Sequence, residues 1–125
     1  MRMRLELIPL TVSDVDRSIA FYRDVVGFEL DHDVSPTNGM RVVQLTPPGS
    51  ACSIAFGTGM GAGAPVAGIH LVVDDLEMTR AALAERGLDT TEIQDMGGVR
   101  YAFFADPDGN SWALQEIRAG ASSPA

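Results

Sequence analysis

The chain is written twice. "LTVSDVDRSIAFYRDVVGF" at 10–28 lies over "LVVDDLEMTRAALAERGL" at 71–88 with one residue deleted near the end. A repeat of this kind fixes architecture before any local propensity does, because each copy must bury its apolar face in the same way. Each copy reads as a strand end, an acidic helix start, a helix and a glycine stop. In the first, Ser13 is expected as the N-cap with Asp16 three residues on, and Val15, Ile19, Tyr22 and Val26 recur on one helical face until Gly27. In the second, Asp74, Asp75 and Glu77 stand at the positive end of the helix dipole, Leu76, Ala82 and Leu83 face inward, and Gly87 ends the helix.

Short strands are expected after each helix. In the first half they are "GFELDHDV", "MRVVQLTP" and "ACSIAFG", separated by the turn stretches "SPTNG" and "PPGS"; in the second they are "LDTTEIQ", "VRYAFFA" and "NSWALQEI", the last two joined by "DPDGN". Each half therefore reads β-α-β-β-β. Between them, "GTGMGAGAP" lacks the lysine of a phosphate-binding loop and opens no helix, so it is read as a linker. One helix covers one face of a sheet and leaves the other to be covered by a second module or a second chain. A concave, half-barrel cavity follows, and such a cavity suits a small ligand.

At 125 residues the chain fits one compact domain. We expect module one over about 5–57, a linker over 58–66, module two over 67–117 and a small, polar, frayed tail over 118–125. The net charge of -8 speaks against nucleic acid or an anionic membrane surface as partner. No transmembrane run is present, and "MRMRLELIPL" is broken by Glu6 and Pro9, so no secretory signal is read. Cys52, the single cysteine, can form no internal disulfide and suits a reducing cytoplasm as a small core or edge residue.

"VSDVDRSIAFYRDVVGFEL", the linker, "HLVVDDLE" and "FFADPDGNSWALQE" together resemble the vicinal oxygen chelate superfamily, which includes glyoxalase I, bleomycin- and fosfomycin-resistance proteins and extradiol dioxygenases. The likeness spans about 5–117. It implies an α+β fold in which two βαβββ modules form a cupped mixed sheet, the glyoxalase/bleomycin-resistance/dioxygenase fold, as a homodimer with a ligand or metal site in the cup. It does not imply one reaction, since the superfamily holds metal-dependent enzymes and proteins that only sequester a drug.

In catalytic members the metal ligands are inward-facing His, Glu or Gln side chains of the first and last strands of the modules. The resemblance places one ligand position seven residues before the helix-start Asp and another four after the Gly of "DPDGN". Here those positions are Leu7, counted from Asp14, Gly68, counted from Asp75, and Ala113; laying "SIAFG" over "SWALQ" adds Ala55. None of these side chains offers oxygen or nitrogen to a divalent cation. We expect no metal and no cofactor.

His70 lies two residues after Gly68 and is expected on the same inner face, with Gln115 in the same relation to Ala113. Three readings of His70 stand: an interior histidine hydrogen-bonded to Gln115, a group that orients a ligand in an otherwise apolar cup, or a general acid/base. Ser53 and Ser111 share the parity of Ala55 and Ala113, and Thr11 that of Leu7, so each is a candidate wall hydroxyl. Of Arg100 and Tyr101, one is expected to face the cup and the other the helix. Phe103 and Phe104 alternate in the same way, while Trp112 and Phe56 are read as core and His32 as a solvated strand end. The function expected from this pattern is the binding of a small, partly apolar molecule in a metal-free cup. The alternative is a metal-independent lyase or isomerase with His70 as acid/base, followed by a metal-dependent glyoxalase-like or dioxygenase-like enzyme.

Overall fold

The computed structural model describes residues 1–58 and 63–117. The expected tail and the centre of the linker lie outside them. The chain divides into two compact units, Met1–Pro65 and Val66–Ala125. Among the described residues each carries one helical segment and one four-stranded mixed sheet.

In module one the helix α1 runs over Val15–Ile19 and continues as a π-helical stretch over Ala20–Val26. Its cap is Asp14, not Ser13: the Asp14 carboxylate accepts the Arg17 N–H at 3.0 Å, and the Ser13 hydroxyl instead accepts from the Arg17 guanidinium at 3.0 Å. Asp14 holds extended backbone, which aims its short side chain at the free N–H groups of the first turn. Module two repeats the device, with Asp75 accepting the Met78 N–H at 3.0 Å ahead of α2, Leu76–Glu85. The first helix ends at Gly27, whose φ of 96° is the left-handed conformation that lets the Gly27 and Phe28 N–H groups turn back onto the Tyr22 carbonyl.

The strands of module one are β1 (Leu7–Pro9), β2 (Glu29–Val34), β3 (Arg41–Thr46) and β4 (Ser53–Thr58), ordered β1-β4-β3-β2. Those of module two are β5 (Ile69–Val72), β6 (Gln94–Met96), β7 (Val99–Ala105) and β8 (Ser111–Ile117), ordered β5-β8-β7-β6. In both sheets the first strand runs parallel to the last and the remaining pairs are antiparallel. This is the α+β, two-module βαβββ arrangement.

One expected strand is displaced. "LDTTEIQ" does not pair along its length, and the strand begins only at Gln94. The Thr91 hydroxyl accepts the Phe103 N–H at 2.9 Å, taking the place a backbone carbonyl would have in a ladder, while the Thr91 N–H reaches the Phe103 carbonyl.

Each sheet packs one face on its own helix. In module one Tyr22 stacks on Phe28 at 5.6 Å and meets Phe56 at 6.1 Å. In module two Phe104 and Trp112 lie parallel at 6.0 Å, above the buried Leu76 and Leu83 of the helix. The turn between β7 and β8 is closed by Asp106, whose carboxylate accepts the Asp108 and Asn110 N–H groups at 2.9 Å and the Asn110 amide at 2.8 Å. Asn110 in turn accepts the Val66 N–H at 2.8 Å, which ties the start of module two to this turn.

A candidate ligand face on module two

Which strand positions meet α2 decides which remain for a ligand. Arg100 on β7 donates to Glu116 Oε1 at 3.0 Å and to Glu77 Oε2 at 3.1 Å, with a further contact to Glu77 Oε1. Glu116 Oε2 accepts the Leu76 N–H at 2.6 Å. Leu76 and Glu77 form the first turn of α2, so Arg100 and Glu116, and with them Ala102, Phe104, Trp112 and Leu114, face the helix. The hydrogen bond to Glu77 foremost, with that to Glu116 behind it, raises the Arg100 pKa above its ordinary value against the opposing cost of burial. Arg100 is therefore corrected from a candidate ligand contact to a bridge between sheet and helix.

Asp75, Glu77 and Glu116 bring carboxylate oxygens within 4.8 Å of one another. Glu77 and Glu116 are taken up by Arg100, Glu116 also by the Leu76 N–H, and Asp75 caps the helix. This cluster is explained by the helix start it holds.

The opposite parity carries Tyr101 and Phe103 of β7, Ser111, Ala113 and Gln115 of β8, and His70 and Val72 of β5. His70 sits opposite Ala113 and Val72 opposite Gln115, so the parallel register puts His70 one layer away from the partner expected for it. Its ring is exposed, and Nδ1 lies 2.7 Å from the Gly68 carbonyl oxygen. His70 meets Tyr101 edge-on, at 6.0 Å between centroids and 89° between planes. Tyr101 lies parallel to Phe103 at 6.2 Å and 9°. Val99, Tyr101 and Ala113 form the buried floor, with Phe103 packed on it and partly exposed.

An open groove of about 480 Å³ lies at the end of the sheet, lined by Phe103, Phe104 and Ala105 of β7 and Ser111 of β8 and edged by Asp89, Thr90 and Thr91; His70 and Tyr101 stand outside its lining. Asp89, Thr90 and Thr91 were not among the residues expected at a site. The signal available for them was the Thr90–Thr91 pair, which breaks the alternation of "LDTTEIQ". The Ser111 hydroxyl accepts the Gly68 N–H at 3.1 Å, which joins the groove to the peptide that holds His70.

The counterpart face of module one carries hydroxyls and an amide among aliphatic side chains. Leu7 pairs with Ser53 and Pro9 with Ala55, and Gln44 of β3 lies across from Ala55. The Ser53 and Thr46 hydroxyls are 2.7 Å apart, and Thr46 donates its one proton to Asp31, so Ser53 donates to Thr46. Thr11 lies half-buried beyond the end of β1. Leu7, Ala55 and Ala113 carry hydrocarbon side chains and Gly68 carries none, so these four do not fit a bound divalent cation. Gly68 adds a backbone reason: its φ of +75° is a conformation in which any ligating side chain would be strained.

Comparison with known proteins gives these features a context. The protein YwbC of Bacillus subtilis (strain 168), itself uncharacterized, is 30% identical over 120 residues, 87% of this chain and 94% of that protein. A solved structure of a glyoxalase/bleomycin resistance protein/dioxygenase superfamily member from Sphaerobacter thermophilus DSM 20745 is 30% identical with a TM-score of 0.80, covering 92% of this chain and 98% of its own. TnmS3 from Streptomyces sp. CB03234, described as an antibiotic binding protein, is 29% identical with a TM-score of 0.82, covering 94% and 98%. The model of one family matches residues 4–114, nearly the whole of both modules. The chain belongs to the Glyoxalase/Bleomycin resistance protein/Dioxygenase superfamily.

Proposed function

We propose that this protein binds a small, partly apolar molecule on the module-two face away from α2, without the metal centre of its catalytic relatives, as a homodimer in the cytoplasm. The observation that carries the reading is the set of three rings, His70, Tyr101 and Phe103, over the buried floor of Val99 and Ala113. A receptor needs a shaped apolar surface and one or two polar anchors, and His70 and Gln115 supply them. The likeness to TnmS3 supports the same class of function.

A second reading makes the protein a metal-independent lyase or isomerase. It is favoured by the His70 ring, whose Nδ1 is engaged by a carbonyl and whose Nε2 is left to take a proton from a substrate. The metal-dependent reading has no support in the side chains at positions 7, 55, 68 and 113.

A thermal-shift screen of aromatic metabolites and divalent metals tests these together. A ligand at one hundred times its Kd stabilises the folded state by about 2.7 kcal/mol and raises the melting temperature accordingly. His70→Gln is expected to keep binding with a modest loss. If the wild-type protein converts the bound compound and His70→Gln binds it without turnover, the enzyme reading replaces the receptor. A stoichiometric transition metal in protein purified without chelator overturns the metal-free claim. Light scattering at twice the mass of the chain is the expected oligomeric result.

A further inference from the structure

Resting on the reading that the module-two face is the binding site, we propose that its ligand is a planar aromatic molecule bearing a hydrogen-bond donor, such as a phenol, and that His70 Nε2 selects it. The selection follows from the tautomer. A backbone carbonyl only accepts, so the 2.7 Å contact between Nδ1 and the Gly68 oxygen puts the ring proton on Nδ1. In the neutral ring Nε2 then accepts and cannot donate. Among the described residues Nε2 has no hydrogen-bond partner.

The carbonyl that sets this tautomer is itself fixed. The Gly68 N–H is held by the Ser111 hydroxyl at 3.1 Å and the Val66 carbonyl accepts the Ser111 N–H at 2.9 Å, while Ile69 on the other side pairs with Trp112, so the chain is tied to β8 before and after Gly68. The other polar groups of the face do not discriminate. Tyr101 and Ser111 hydroxyls and the Gln115 amide each donate and accept. His70 is the group that distinguishes a ligand O–H from an ether oxygen.

Ring geometry supplies the aromatic preference. Tyr101 and Phe103 are already parallel, and Phe103 is partly exposed and lines the open groove that ends at Ser111. A flat ligand seated against Phe103 extends an existing stack. The residue across the sheet from both Phe103 and His70 is Ala113, which is 1% exposed, so the rings rise from a filled floor and not from a void.

The test uses 2-naphthol and 2-methoxynaphthalene, which share a ring system and differ in the donor. Affinities are measured by NMR titration of the full chain, with ring nitrogen resonances of His70 followed in the same samples. The expected result is a protonated Nδ1 in the free protein, displacement of the Nε2 resonance by 2-naphthol, and binding of 2-naphthol roughly tenfold tighter than the ether. His70→Phe, which keeps a ring and removes the acceptor, should bring the ratio to near one, and His70→Gln, which keeps an acceptor, should restore part of it. Because His70 is exposed, both variants are expected to fold, and their melting temperatures verify it.

A proton on Nε2, equal affinities in the wild-type chain, or a preference that survives His70→Phe overturns the inference and leaves the receptor reading standing. Saturable binding of cyclohexanol with neither naphthalene bound has the same consequence. If His70, Tyr101 and Phe103 respond to none of the three probes, the inference and the receptor reading fall together.

Discussion

A single hydrogen bond sets the chemistry His70 presents. Its ring offers an acceptor because Gly68 supplies the carbonyl, and Gly68 supplies it from a left-handed backbone that a residue with a side chain would resist. Asp33 illustrates how a charged residue contributes at the same scale. Arg41 donates to it twice, at 2.9 and 2.8 Å, and these hydrogen bonds foremost lower its pKa below the ordinary carboxylate value. The folded-state value lies below the unfolded one, so the stabilisation is present at neutral pH and is lost as pH falls through the carboxylate range and on through the folded value. With the Asp33 side chain 35% exposed, water screens the pair, and its worth is less than about 1 kcal/mol. Asp33→Asn should be slightly less stable than the wild-type chain at pH 7, with the gap closing as the solution is acidified. Urea denaturation at a series of pH values measures it, and a gap that widens on acidification contradicts the assignment.

At the scale of elements, the two modules hold helix to sheet by the same device. Arg41 on β3 reaches Asp16, and Arg100 on β7 reaches Glu77; both acids stand two residues after the capping aspartate of their helix. The two latches differ in burial. The Arg41 side chain is 29% exposed and that of Arg100 is 9% exposed, with Glu116 behind it at 12%. Removing the more buried cation leaves a carboxylate without its partner where water is scarce, whereas the exposed one can be replaced by solvent. Arg100→Leu should lower the melting temperature more than Arg41→Leu does, and a reversed order would contradict the ranking by burial. The displaced edge strand belongs to this scale too, since a threonine hydroxyl takes the place of a carbonyl and the ladder begins only at Gln94.

For the molecule as a whole, a net charge of -8 opposes the approach of a polyanion. A duplex offers no counter-charge to an acidic chain, so fluorescence anisotropy with labelled DNA at low salt should show no saturable binding. Salt-sensitive binding there would require a basic patch that the composition does not suggest. None of the helices among the described residues is long and apolar enough to cross a membrane.

The repeat by itself determined two βαβββ modules, the acidic helix starts, the glycine stops and, through strand alternation, the shared face of Ser111, Ala113 and Gln115. These are periodic properties of a local backbone, and a sequence displays them directly. Only the tertiary structure decided that His70 stands opposite Ala113 and takes the Gly68 carbonyl, that Arg100 turns to α2 while Tyr101 turns away, and that Asp14 caps the first helix in place of Ser13. Register between parallel strands and the choice between two adjacent side chains depend on which partner groups arrive from elsewhere in the fold. Glu77 and Glu116 fix the direction of Arg100, and they lie 23 and 16 residues from it along the chain.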